Sequence, residues 1–310
     1  MLFNKIKNIF NVLRPIHWIK NLVIFLPLFF DLIVNNRIVN SFDLIQLVKA
    51  VFIFSLVASC VYIINDLKDY NFDKNNPLKK NNPISNGNVT KSTAKFFLII
   101  ILSISFLFLI SLSFKSETII LIVSYLLLNI SYTYILKNIK TIELFVVPLG
   151  ILFRVLVGFV EVNIILSVWI ISLSFLGSML LILGKRKVEL NITIPSKLNK
   201  HKKLYSLRPV LLKYNHKYLD VLISVITSNI LVFYLIYLVN SEFTSRYGLI
   251  TLMTFIPVIY GVFRYIELIY IKNIEKDPLD ILLKDNPIKG SIVVWFLLFI
   301  GIFNYHFIFE

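Results

Sequence analysis

Between Asn65 and Asp73 the chain reads NDLKDYNFD, which sets Asp66, Asp69 and Asp73 three and four residues apart. On a helix that runs through the segment, that spacing gives the three carboxylates one shared face. An unopposed row of acids repels itself, and the usual relief is a divalent cation. Mg²⁺ in particular takes only one or two carboxylates directly and completes its shell with water and phosphate oxygens. The chemistry this pattern suits is metal-assisted handling of a diphosphate, with Asp66, Asp69 and Asp73 as the candidate catalytic acids.

The elements that must position these acids are membrane helices. The chain has 310 residues, 57% of them apolar and 15% aromatic, with a mean hydropathy of +0.81. That composition lies far outside the soluble range and implies an all-α, polytopic membrane protein. Apolar windows able to cross a hydrocarbon core of about 30 Å are predicted over roughly 22–34, 44–64, 96–114, 118–136, 144–160, 164–183, 219–240, 247–270 and 291–309. The expectation is about nine transmembrane helices in a single domain, 1–310. Most of the 32 lysines and arginines fall before residue 21 or in the segments 65–95, 137–143, 185–217 and 272–290. The opposite loops offer only Arg37, Lys49, Lys115 and Arg246. This asymmetry puts the N-terminus and the basic loops in the cytoplasm.

The formal charge of +15 is then a topological signal and an attraction to anionic lipid, with no nucleic-acid partner implied. Cys60 stands alone, which excludes a disulfide framework or a cysteine zinc site. Residues 1–13 alternate apolar and basic side chains as an interfacial helix does, and 1–21 is read as an interfacial N-terminal segment. No cleaved signal peptide is expected.

Several basic and aromatic residues border the acids. RPIHWIKN, Arg14 to Asn21, supplies Arg14, Lys20 and Asn21 as polar donors beside Trp18, a headgroup-level residue. The loop KNNPLKKNNPISNGN after the acids carries Lys79 and Lys80, and SYTYILKNIKTIE carries Tyr132, Lys137 and Glu143. Arg154 lies about three turns inside a span, where a charge costs about 2.5–3.5 kcal/mol on insertion scales, so it must meet a cavity or an acidic partner. GKRKVEL brings Lys185, Arg186 and Glu189 to the end of the sixth span. His17, His201 and His216 read as surface residues, and the segment with Asp277, Asp280 and Asp285 reads as a capping element.

NDxxDxxxD at the end of the second of nine helices resembles the signature of the UbiA superfamily of intramembrane prenyltransferases. Within it the chain is most similar to the bacterial decaprenyl-phosphate phosphoribosyltransferase branch. The likeness rests on RPIHWIKN, NDLKDYNFDKNNPLKKNNPIS, SYTYILK, the Arg154 segment, GKRKVEL and DPLDILLKDNPI, which together span nearly the whole chain. It implies helices arranged around a cytoplasm-facing cavity in the bacterial cytoplasmic (inner) membrane, with the site on the cytoplasmic side. It also implies that Asn65, Asp66, Asp69 and Asp73 hold Mg²⁺, or Mn²⁺ in its place, on the diphosphate of phosphoribosyl diphosphate. A polyprenyl phosphate would then accept the phosphoribosyl group.

Arg14, Lys20, Asn21, Lys79, Lys80, Tyr132, Lys137, Arg154, Lys185, Arg186 and Glu189 form the candidate substrate-binding set. Two departures stand out. Aromatic prenyltransferases of the superfamily carry a second aspartate-rich motif where this chain has the basic GKRKVEL, which suits one metal plus a phosphate bound directly by Lys and Arg. Where the phosphoribosyltransferase branch shows an aspartate after SYTYILK, this chain has Glu143. An aromatic or quinone-type prenyltransferase is the alternative enzyme, and a cation transporter is a third reading disfavoured by acids gathered at one face with no inverted halves. Oligomeric state, lipid length and downstream glycan are not legible.

Overall fold

The structure, a computed structural model, describes residues 2–35, 37–74, 82–193, 209–270, 281 and 284–309. Lys79, Lys80, His201, Asp277 and Asp280 lie outside the described residues. Among those described there is no strand, and nine helices are long and apolar enough to cross a membrane: Pro15–Asn35, Ser41–Lys68, Lys91–Ser111, Ser116–Tyr134, Ile142–Glu161, Val168–Asn191, His216–Asn240, Leu249–Tyr270 and Asn286–Asn304. These match the nine expected windows in order. The chain is an integral membrane protein.

The helices fall into two compact units. The first comprises Met1–Leu28, Val39–Leu166 and Asn199–Lys213. At its centre is α3, Ser41–Lys68, started by Asn40, whose side chain accepts a hydrogen bond from the Asp43 backbone N–H, satisfying one of the orphan donors of a helix start. No glycine or proline interrupts α3. The small buried residues Ala50, Ser55, Ala58, Ser59 and Cys60 let neighbours approach closely, as membrane helix contacts require. Around it pack α5 (Lys91–Ser111), α6 (Ser116–Tyr134) and α7 (Ile142–Glu161).

The remaining neighbour of α3 is unusual. After α1, Leu2–Val12, the residues Pro15–Phe25 form a 3-10 helix, far longer than the three or four residues typical of that form. The first apolar helix therefore starts at Pro15, earlier than its apolar window. The reason is register. Three residues per turn put Trp18, Asn21 and Ile24 in one row, and three residues of 3-10 helix rise about 6 Å, the same as four residues of α-helix. Trp18 Nε1 donates to Ser59 Oγ at 3.1 Å and Asn21 Nδ2 donates to Ser55 Oγ at 2.8 Å. The two ladders thus repeat in phase, an alignment that an α-helical first segment would lose. The 3-10 helix also packs closely on Gly158 of α7, where a methyl group would overlap the carbonyl oxygen of Ile24.

The second unit comprises Phe29–Ile38, Ser167–Leu198 and Tyr214–Glu310. Here α8 (Val168–Thr193) packs on α9 (His216–Asn240), and α11 (Phe255–Tyr270) packs on the last helix, Asn286–Phe309. Gly184 of α8 leaves room for the Tyr265 ring and Ile269 of α11. Phe243 stacks on Phe299 with centroids 4.8 Å apart. Trp295 Nε1 donates to Tyr234 OH at 2.7 Å, and that hydroxyl donates to Thr254 Oγ1 at 2.9 Å. Such chains satisfy polar atoms that lipid would leave unpaired.

The Gly158 contact makes a direct expectation. Gly158→Ala forces the 3-10 helix off α7 and lowers stability by about 1–3 kcal/mol, the usual cost of overpacking. Gly290→Ala, where nothing lies within 4 Å of the added carbon, is a control for helix glycines. Thermal unfolding of both variants in detergent checks the difference, and equal midpoints would refute it.

Candidate active site

The end of α3 delivers the acids. The helix bends at Asp69, with φ −90° and ψ 6°, and a single turn, α4 (Tyr70–Asp73), follows. The backbone ladder carries across the bend, because the N–H of Asp69 donates to Asn65 O and that of Asp73 to Asp69 O, each at 2.9 Å. Asp66, Asp69 and Asp73 are only 1%, 8% and 6% exposed. Carboxylates so deeply buried are tolerated only when paired or bound to a metal.

The expectation of an unopposed row needs correcting here. Nη2 of Arg14 donates to both oxygens of Asp66, at 2.6 and 2.8 Å, and Lys137 Nζ donates to Asp69 Oδ1. Two residues expected to bind phosphate therefore neutralise two of the acids. Arg14 sits between α1 and the 3-10 helix with left-handed φ 52° and ψ 57°, a conformation that costs a non-glycine residue energy and is concentrated at functional sites. Its guanidinium also lies 5.4 Å from the Tyr62 ring centroid. Lys137 is presented by the tight turn Leu136–Asn138 that follows α6. Beside them Asn65 Oδ1 is buried and accepts no hydrogen bond. Among the described residues no group of three or more His, Cys, Asp and Glu is gathered to hold a metal by itself, so the three aspartates do not converge on one point.

Arg154 is elsewhere. Its Nε donates to Asn21 Oδ1 at 2.6 Å, Nη1 to Gly150 O at 2.5 Å and Nη2 to Tyr125 OH at 3.1 Å. The guanidinium also lies 5.0 Å from the Phe54 ring centroid and 4.6 Å from that of Tyr125. The sequence demanded a cavity or an acidic partner, but these partners are an amide, a peptide carbonyl, a phenol and two aromatic faces. Cation–π contact and neutral hydrogen bonds replace the missing anion. Asn21 bridges Arg154 to Ser55, and Ser55 is about 16 Å along α3 from Asp66 at 1.5 Å per residue. Arg154 thus anchors the inner end of the polar row, while Arg14 closes the outer end.

Of the other candidates in this unit, Lys20 and Tyr132 are half-buried. Glu143 is fully buried in the first turn of α7, where an acid favours the helix dipole.

In the second unit Arg186 is 1% exposed and pairs with Glu189 at 2.5 Å, so these two candidates engage each other. Lys185 is half-buried. Sequence reading missed the adjoining cluster, in which Lys187 Nζ donates to Asp220 Oδ1 at 2.5 Å and lies 5.0 Å from the Tyr270 ring centroid. The Tyr270 hydroxyl donates to the same Asp220 oxygen at 2.6 Å. The sequence signal was slight, because Asp220 stands near the start of its span, three residues after Lys217, and its side chain is 39% exposed.

An intramembrane helical fold with a buried aspartate ladder at a helix end defines a class, and the sequence matches the UbiA prenyltransferase family over residues 25–278. The chain belongs to that family. Among individual relatives, it is 29% identical over 189 residues to the decaprenyl-phosphate phosphoribosyltransferase of Mycobacterium tuberculosis, covering 61% of this chain and 62% of that protein. It is 31% identical over 192 residues to the protein of the same name from Mycolicibacterium smegmatis, covering 61% and 59%. The matches thus span about three-fifths of these relatives. A UbiA homologue from Archaeoglobus fulgidus, solved bound to GPP and Mg²⁺, superposes with a TM-score of 0.64 at 12% identity, covering 97% of this chain and 98% of that one. A digeranylgeranylglyceryl phosphate synthase gives 0.57 at 19% identity, covering 98% and 97%. At these identities the structures establish a shared fold.

The polar row is testable on its own. Asn21→Leu removes the bridge, leaving Ser55 and Arg154 each short of a partner, and a buried polar group so orphaned costs about 1–3 kcal/mol. The expected result is a lower unfolding midpoint in detergent, largely restored when Arg154→Met is added. A double variant less stable than the single would contradict this account.

Proposed function

We propose that the protein transfers the 5-phosphoribosyl group of phosphoribosyl diphosphate to a polyprenyl phosphate at the cytoplasmic face of the bacterial inner membrane, releasing pyrophosphate. The observation that carries this reading is the buried ladder Asp66, Asp69 and Asp73 with Arg14 and Lys137 against it: oxygen donors for a metal and cations for phosphate within one helix end. The names of the mycobacterial relatives favour this substrate pair. The distribution of Lys and Arg along the chain favours a cytoplasmic site.

The residues present fit Mg²⁺, with Mn²⁺ as a substitute. All the donors are oxygens, Asn65 Oδ1 is buried without a hydrogen-bond donor, and a metal that needs only one or two protein carboxylates does not require the three acids to converge. Asp66, Asp69, Asp73 and Asn65 would hold it. When bound, Mg²⁺ supplies positive charge to the departing diphosphate.

The reaction breaks the bond from the anomeric carbon to the diphosphate oxygen and forms one from that carbon to an oxygen of the lipid phosphate. The acceptor is already an anion at neutral pH, so no general base is needed and none of the histidines has to act as one. Arg14 and Lys137 bind phosphate oxygens and stabilise the charge that builds up on the leaving group, while Lys20 and Tyr132, both half-buried, keep their assignment to substrate binding on sequence grounds. Asn21 and Arg154 act as positioning residues, holding the 3-10 helix that begins directly after Arg14. Lys79, Lys80, Lys185 and Arg186 keep their assignment to substrate phosphates on sequence grounds, and Glu189 stays in the substrate-binding set as the partner of Arg186.

The test uses purified protein in lipid nanodiscs with Mg²⁺, radiolabelled phosphoribosyl diphosphate and a polyprenyl phosphate. Labelled lipid should form, disappear on chelation, and fall about 10²–10³-fold in kcat/KM in Asp66→Asn or Asp69→Asn, the scale of losing one preorganised electrostatic contact. A wild-type protein that labels no lipid, yet prenylates an aromatic acid from geranyl diphosphate, would replace this reading with the aromatic prenyltransferase.

A further inference from the structure

The two acids on which a metal would rest already have cations on them. Both oxygens of Asp66 are taken by Arg14 Nη2, and one oxygen of Asp69 by Lys137 Nζ. The quartet is electrically neutral and largely shielded, with side-chain exposures of 25% and 1% for the first pair and 11% and 12% for the second. Stripping one partner from a pair of that kind leaves an uncompensated charge, which is strongly unfavourable.

A bare divalent cation meets that penalty directly. To reach the carboxylates it must push Arg14 and Lys137 aside, leaving two cations and a metal crowded together with only the acids to balance them. A metal that arrives on a diphosphate brings anionic oxygens able to receive both displaced side chains. Arginine and lysine form strong charge-assisted hydrogen bonds to phosphate. The geometry allows the exchange, because Arg14 is a quarter exposed and is held at a strained left-handed residue, and Lys137 stands on a short turn.

We propose that Arg14 and Lys137 are specificity-determining residues that make the site accept metal and diphosphate as one ligand and reject the metal alone. Asp66 and Asp69 give up their basic partners to phosphate oxygens in the same event in which they accept the metal. This rests on the reading of the aspartate ladder as a metal–diphosphate site. It adds that the resting ion pairs act as a lock, so that losing either cation favours the bare metal while weakening the complex.

The experiment measures binding to purified protein, without acceptor lipid or turnover, by calorimetry and by the shift in unfolding midpoint. The probes are Mg²⁺ alone and Mg²⁺ with inorganic pyrophosphate, at calculated free concentrations. Arg14→Gln and Lys137→Met are each expected to bind Mg²⁺ alone at least tenfold more tightly than wild type, and the Mg²⁺–pyrophosphate complex at least tenfold more weakly. Arg14→Lys, which keeps the charge, should retain the wild-type order of affinities. A merely structural role would move both affinities the same way or neither, and that result overturns the lock. Wild-type protein that binds Mg²⁺ alone as tightly as the complex overturns it without any variant. If wild type binds the complex but the variants gain nothing for the bare metal, only the lock falls. If wild type binds neither probe, the metal–diphosphate reading falls with it.

Discussion

The arrangement of the first unit depends on one match of helical rises. Trp18 and Asn21 on a 3-10 helix meet Ser59 and Ser55 on an α-helix because three residues of the one advance as far as four of the other. Each bond is worth only about 0.5–1.5 kcal/mol net, but in lipid an unmet indole or amide costs more than a met one gains, so the pairing excludes other registers. Once the row is in phase, Arg14 comes opposite Tyr62 and Asp66 with no further adjustment of α3.

The row also explains what Arg154 is doing in the middle of a membrane helix. A guanidinium with neutral partners and two aromatic faces is a rigid bracket: it holds Asn21, Asn21 holds Ser55, and Gly158, one turn further along the same helix, lets the backbone of the 3-10 segment approach closely at Ile24. Sequence position alone suggested a ligand for substrate. Its contacts lie too far along α3 from the acids for a single diphosphate to reach both, and a bracket accounts for every hydrogen bond Arg154 makes.

What could be read from the sequence was local. Asp66, Asp69 and Asp73 were found because the i, i+3, i+7 pattern lies within one stretch of nine residues, and the nine spans because lipid imposes unbroken apolar runs of fixed minimum length. The ion pair between Arg14 and Asp66 joins residues 52 positions apart, and that between Lys137 and Asp69 joins residues 68 apart, so no periodicity announces them. The 3-10 geometry was equally hidden. PIHWIKNLVIF is compatible with an α-helix, and the choice is made by two serines and a glycine on other helices. Lys187 was passed over for a different reason: in a run of three basic residues each one reads as solvated, and only Asp220 and Tyr270, distant in sequence, distinguish it.

Buried ion pairs are a weak means of stabilising a helix end. Desolvating two charges consumes most of what their attraction returns, and apolar residues of similar size often do better. Apolar packing in place of such pairs is often neutral or stabilising. The charge asymmetry of the sequence does not require the pairs either, because many lysines in the other basic segments already supply it. What the pairs do provide is charge held in place: carboxylates largely out of solvent, with cations already oriented against them. Such preorganisation is costly as scaffolding but useful for an anion that must be gripped and then released as a leaving group. The same holds at the end of α8 in the second unit, where the buried Arg186 is kept together with Glu189 rather than replaced by apolar packing.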